Sequence, residues 1–231
     1  MRNEELRAVL HDVAERAASF RESRAEAPAR PLKSYTELQT AFEAPTPEHG
    51  APIGELILEL ATLTEAGLAN MVGPRFFGWV IGATEPAGMA ADWLTSAWAQ
   101  NVGNAHATPA ASACEERVGA WLLDLLDLPR ESSVGFVTGA TLANFTCLAA
   151  ARGEVLRRAG WDAEADGLFG APPVHVVLGE EAHSTVFSGL RYLGLGAKRV
   201  VSVPVNEQGL MKPGASGKAV EKLDGPIIAI A

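Results

Sequence analysis

The chain has 231 residues, 48% of them hydrophobic, which is enough to bury a full core and too apolar for a disordered or fibrous chain. Its 19 basic residues stand against 28 acidic ones, and the formal charge of −9 is offset by no basic stripe, so neither nucleic acid nor an anionic membrane is an expected partner. The two cysteines, Cys114 and Cys147, have no CxxC or Cys/His metal spacing, which reads as reduced thiols in a cytoplasmic protein, with Cys147 buried in the apolar "NFTCLAAA".

The N-terminus is charged and helically periodic, unlike a signal peptide, and no run approaches a membrane span. Leu6, Val9, Leu10, Val13, Ala17 and Phe20 fall on one face of an amphipathic helix that needs a partner. A Pro-punctuated connection with room for a short helix near Tyr35 to Phe42 follows. Helical spacing then resumes behind Pro52 with Ile53, Leu56, Ile57, Leu60 and Leu63. Residues 1–72 therefore read as a helical segment whose apolar stripes lie on the rest of the protein or on a second subunit. From residue 73 the texture changes. "PRFFGWVIGAT" is dense in aromatics and glycine, and "EPAGMAADWLTSAWAQ" reads as a helix with Met89, Trp93 and Leu94 on one side. Asp124 and Asp127 in "WLLDLLDLP" read as the polar edge of a further helix.

Beyond Ser133, strands are expected at 134–138, 174–179, 199–205 and 226–231, separated by helices at 141–159, 184–193 and about 215–223. Short, nearly continuous apolar strands alternating with helices predict an α/β fold with a mainly parallel sheet flanked by helices. The second domain is accordingly expected to span 73–231, and the last strand, with no helix after it, reads as a fold cut off rather than completed.

In open parallel sheets, ligands bind beyond the carboxyl ends of the strands. After the first expected strand come Thr138, Gly139, Ala140 and Thr141, leading into a helix; amides at a helix N-terminus attract anions, small side chains admit a phosphate, and Thr hydroxyls add donors. After the second comes "EEAHS", with His183 at the mouth of the next helix. Thr141 could equally be an N-cap, and His183 a surface or capping residue. Taken together on one rim, the two turns describe a phosphate cradle with a planar ring beside it. No GxxxxGK[ST] or GxSxG occurs, and the GxG in "GLGAKR" lacks its third glycine. His11, His49, His106, His175 and His183 show no metal-ligand spacing, so no metal is expected.

Four segments in order resemble a known family. "GPRFFGW" (73–79) is similar to a His-Pro-Arg-Phe-Phe segment, and "ATPAASACE" (107–115) to Ser-Pro-Ala-x-Thr-Glu-x-Glu. "FVTGATLAN" (136–144) is similar to a Thr-Ser-Gly-Gly-Thr-Glu-Ala-Asn loop, and "EEAHSTVFSGLRYLGLG" (180–196) to a Gln-Ala-His-Ser-Ser helix start. The family is the group II pyridoxal-5′-phosphate-dependent decarboxylases of fold type I, which include aromatic amino acid, glutamate and tyrosine decarboxylases. The resemblance implies a lyase that releases CO2 from an L-amino acid, working as a cytoplasmic homodimer with pyridoxal 5′-phosphate as cofactor. It implies that Gly139, Ala140 and Thr141 hold the cofactor phosphate and that His183 stacks on the ring as a catalytic residue. Trp79, Gly82, Thr108 and Pro109 match the region around the substrate. The chain departs from the family pattern where Gly139-Ala140 stands for paired glycines, Leu142 for a glutamate and Gly73 for a histidine.

The family's covalent lysine and its ring-nitrogen aspartate come after the strand that "PIIAIA" resembles. Lys33, Lys198, Lys212, Lys218 and Lys222 read as solvated surface residues. The chain is thus expected to be an N-terminal portion, inactive alone. Another fold type I enzyme, an aldehyde-lyase or aminotransferase, and a non-catalytic binding half-domain are the alternatives.

Overall fold

A computed structural model describes residues 3–230, so Met1, Arg2 and Ala231, the ends of the expected first helix and last strand, lie outside the described residues. The chain divides into two compact units between Asn101 and Val102. The change of texture at 72/73 does not coincide with this division. One reason is Arg75, whose Nη2 donates to the carbonyls of Ala25 (3.0 Å) and Ala27 (3.3 Å), tying the stretch after Gly73 back to the N-terminal helices.

The first unit is helical: α1 (Asn3–Glu22), α2 (Tyr35–Ala41), α3 (Ile53–Thr64) and α4 (Pro86–Trp98). A capping box starts α2, with Ser34 accepting from the Glu37 amide while the Glu37 carboxylate accepts from Ser34 N–H at 2.8 Å. The α1 stripe splits. Val9, Val13, Ala17 and Phe20 are half-buried, and Val9 meets α3 at Gly54, while Leu6 and Leu10 stay exposed. Trp93 and Leu94 of α4 are likewise exposed, leaving Met89 as the half-buried member of that side.

Asn70 pins the loop after α1. Its side chain is 3% exposed, and its Nδ2 donates to the carbonyls of Arg24 (2.8 Å) and Ala27 (3.1 Å). Gly73 lies directly against this amide: a Cβ there would overlap the Asn70 side chain. The glycine that stands where the resemblance expects histidine therefore makes room for Asn70.

The second unit opens with α5 (Pro109–Leu125), which ends in a Schellman motif: the Leu128 amide donates to the Leu123 carbonyl at 2.9 Å, around Asp127 at φ 52°. Asp124 is on the helix as expected, but Asp127 is not; its short polar side chain suits the left-handed position that stops the helix. Then come α6 (Ala140–Arg158), β1 (His175–Gly179), α7 (Ser184–Tyr192), β2 (Val200–Val203), α8 (Pro213–Val220) and β3 (Ile227–Ile230).

The sheet is parallel, in the order β2-β1-β3, with Val176 opposite Val200 on one side and Ile228 on the other. Val176 and Leu178 point into a core with Leu148 and Leu156 of α6 and Leu190 of α7. Val177 and Val203 are buried on the opposite face, as the period of two requires, and α8 packs on β1 and β2.

The stretch expected to be a strand at 134–138 joins no sheet among the described residues. Val134, Phe136 and Val137 are exposed, so the apolar run lacks the neighbour whose ladder would make it a strand. Cys147 is exposed as well, contrary to the buried thiol expected, because α6 turns the stripe of Phe145, Leu148 and Leu156 inward and residue 147 falls beside it.

Candidate active site

Two helix starts share one rim of the second unit. Along α6 and α7, Asn144 meets Thr185 and Arg152 meets Leu193, both pairs 41 residues apart, while Leu148 lies against Gly189 at the same offset. A constant offset means that the helices run in the same direction, with both N-termini at one end. Since α7 follows β1 through the Glu180–Ala182 turn, that end is the carboxyl edge of the sheet. Gly189 permits the close approach: a Cβ there would already stand 3.4 Å from Leu148 Cδ1 and 3.7 Å from the Phe145 backbone.

The N-cap of α6 is Gly139, which has no side chain to cap with. Thr141 is therefore the second residue of the helix and not its cap, and its exposed hydroxyl is available alongside the first-turn amides. The carbonyl of Gly139 accepts from Leu142 and Ala143, so the helix winds from its first residue. An open groove of about 460 Å³ adjoins this turn, lined by Thr138, Gly139, Thr141, Leu142, Phe145 and Tyr192. A Cβ on Gly139 would meet nothing within 4 Å, so the space before the amides is clear. Uncapped amides, two threonine hydroxyls and a clear approach suit a phosphate.

His183 is the N-cap of α7, and its ring Nδ1 accepts the Thr185 amide at 3.2 Å. The capping and ligand-facing readings of this residue are compatible, because capping uses one nitrogen of an exposed ring and leaves the other edge outward. Thr185 Oγ1 is 2.9 Å from the same Nδ1 and accepts from Asn144 Nδ2 at 3.2 Å, linking the two helix starts.

Of the residues matched to the substrate region, Thr108 is 6% exposed, with its hydroxyl donated to the Asn104 carbonyl at 3.1 Å, and Pro109 is the first residue of α5. Trp79 and Gly82 belong to the first unit; Trp79 is 87% exposed at φ 62°, and Gly82 faces open space. Sequence reasoning missed Tyr192, Asn144 and Thr185. Asn144 does follow Ala140 by one helical turn and Thr185 follows His183 by two residues, but their meeting is a tertiary fact.

Residues 36–230 match the family described as the pyridoxal-dependent decarboxylase conserved domain. This chain belongs to that family. Tryptophan decarboxylase 1 of Oryza sativa subsp. japonica is 27% identical over 216 residues, covering 89% of this chain and 41% of the rice protein. L-2,4-diaminobutyrate decarboxylase of Rhizobium meliloti (strain 1021) is 31% identical over 123 residues, covering 53% of this chain and 23% of the relative. The crystal structure of the Oryza sativa enzyme with pyridoxal phosphate and tryptamine superposes with a TM-score of 0.82 at 25% identity, over 96% of this chain and 48% of that one. The chain thus spans about half the length of the decarboxylases it matches, and its fold is that of the fold type I family members over that half. Among the described residues no helix is long and apolar enough to cross a membrane.

Proposed function

We propose that this chain provides the cofactor-phosphate anchor and the ring-facing histidine of a pyridoxal 5′-phosphate-dependent amino acid decarboxylase. The observation that carries the reading is the juxtaposition of two helix starts, the uncapped α6 turn and the His183-capped start of α7, within the family-matched residues. Gly139, Ala140 and Thr141 would hold the phosphate, the amides donating along the helix dipole and the Thr141 hydroxyl adding a charge-assisted bond. His183 would lie against the ring. Bound there, the cofactor supplies the electron sink for loss of an α-carboxylate as CO2.

The chain's own residues bind, orient and shield. Phe145, Leu142 and Tyr192 give the open phosphate groove an apolar flank. Thr108 contributes shape rather than a free hydroxyl, since its proton is committed to Asn104. Trp79, Gly82 and Pro109 are assigned to the substrate wall by resemblance. No lysine lines the groove beside the start of α6, so these residues would hold the phosphate without a covalent bond, and a homodimer is the assembly the reading expects. A cytoplasmic setting accords with the two free thiols.

The test is a pyridoxal phosphate titration followed by absorbance and by quenching of tryptophan fluorescence, with inorganic phosphate as competitor. Thr141→Ala removes one hydrogen bond to a charged group, about 1.5–3 kcal/mol, and is expected to weaken binding roughly 10- to 150-fold with the circular dichroism unchanged. An unaltered titration in Thr141→Ala would overturn the phosphate assignment.

A further inference from the structure

The contacts around His183 bear on which of its nitrogens carries the proton. The Thr185 backbone N–H can only donate, and it points at Nδ1 from 3.2 Å, so Nδ1 must present its lone pair. Thr185 Oγ1, 2.9 Å from the same nitrogen, must then donate too, because an Oγ1 lone pair facing the Nδ1 lone pair would repel it. A hydroxyl rotates to suit its surroundings and could turn away unless something held it. Asn144 Nδ2 holds it: by donating to Oγ1 at 3.2 Å it occupies an oxygen lone pair and leaves the hydroxyl proton to point at the ring. The donor order runs from the Asn144 amide to the Thr185 hydroxyl to His183 Nδ1.

We infer that Asn144 and Thr185 are positioning residues that hold neutral His183 in the tautomer protonated on Nε2. Nδ1 is fully used by the start of α7. The outward edge is therefore an N–H donor, suited to an anionic oxygen such as a carboxylate, and it cannot act as an acceptor there. The cofactor loop and the histidine are also locked to one another, because Asn144 sits on the first turns of α6, four residues after Ala140, and Thr185 on the first turn of α7. What the Nε2 proton serves rests on the proposed function; the tautomer itself does not.

The experiment is long-range proton–nitrogen correlation spectroscopy on the chain labelled with nitrogen-15 histidine at a pH where the ring is neutral. The His183 signals are assigned by their loss in His183→Gln. Wild type is expected to show Nε2 protonated and Nδ1 bare. Thr185→Val and Asn144→Leu are each expected to raise the ratio of the Nδ1–H to the Nε2–H form about fivefold, the effect of one ordinary hydrogen bond, and Thr185→Ser should restore the wild-type pattern. A dominant Nδ1–H form in wild type overturns the inference whether or not the variants fold, and so does an unchanged ratio in both folded variants. Titrating the wild-type sample with pyridoxal phosphate separates the two claims. The expected tautomer without cofactor binding removes the functional reading and keeps this one, while binding with the wrong tautomer does the reverse.

Discussion

Replacing Gly189 by valine is expected to separate the two helices that carry the candidate site, whereas alanine should be accepted. An alanine Cβ would lie 3.4 Å from Leu148 Cδ1, the movable tip of a side chain, and 3.7 Å from the Phe145 Cα and N, an ordinary contact. Gly189 lies within α7, where alanine gains about 0.5–1 kcal/mol over glycine by reducing the freedom of the unfolded chain. Gly189→Ala should therefore be neutral or more stable by up to about 1 kcal/mol. Valine adds two methyl groups roughly 1.5 Å further out, and a helix leaves its side chain essentially one rotamer with which to avoid the neighbour. The Phe145 backbone cannot swing aside as a leucine tip can, so α7 must move, at about 1–3 kcal/mol. Urea unfolding followed by circular dichroism gives the stability of both variants by linear extrapolation. Pyridoxal phosphate titration then asks whether the displaced helix also weakens the cradle. A valine variant as stable as the alanine one would refute the close packing of α6 on α7.

Other perturbations probe separate parts of the molecule. Leu156→Ala empties a position that is 0% exposed in the core between α6 and the sheet, and should cost about 2–5 kcal/mol in the same urea assay. Gly73→Ala drives a methyl group into the Asn70 amide and should break its bonds to the Arg24 and Ala27 carbonyls, a loss of about 1–3 kcal/mol. If Asn70→Ala abolishes that penalty, the overlap is its cause. The Arg157 and Arg158 side chains hydrogen-bond to Glu154 and pull its carboxyl down from 4.5 to about 2, so the stability it contributes is fully present above pH 4.5 and is lost as the pH falls through about 2. Glu154→Gln should lower stability near neutrality, where the contribution is fully present, and flatten the acid limb so that the two profiles converge as the pH falls through about 2; an identical acid limb would remove the pair from the account.

The helices of the second unit were legible in the sequence because their signals are local. Helices α6 and α7 fall within a residue of the expected 141–159 and 184–193, while α8 begins at Pro213, two residues before its expected start, and ends at Val220, three before its expected end. The turn at Gly139 was legible too, since small residues before a helical run show in one dimension. What failed depended on partners. Residues 134–138 have a strand's composition, but strand pairing is a property of two segments, and none of β1, β2 and β3 takes this one as a neighbour. Cys147 lies in an apolar run, yet its exposure is decided by which side of α6 the sheet occupies. The link from Asn144 to Thr185 joins residues 41 apart and carries no sequence mark. His183 was found as a candidate, but that it caps with one nitrogen and offers the other needed coordinates.

The strand order also sets a timetable for synthesis. The middle strand, His175–Gly179, is bordered first by Val200–Val203 and only later by Ile227–Ile230. About fifty residues separate the end of the middle strand from its second neighbour, so at roughly 5–20 residues per second a nascent chain carries an open edge of hydrophobic strand for about 2–10 s. During that interval Val176, Val177 and Leu178, which the finished sheet covers completely, offer backbone groups to any passing strand. Slow codons between 204 and 226 would lengthen the exposure, and aggregation during expression should rise with them.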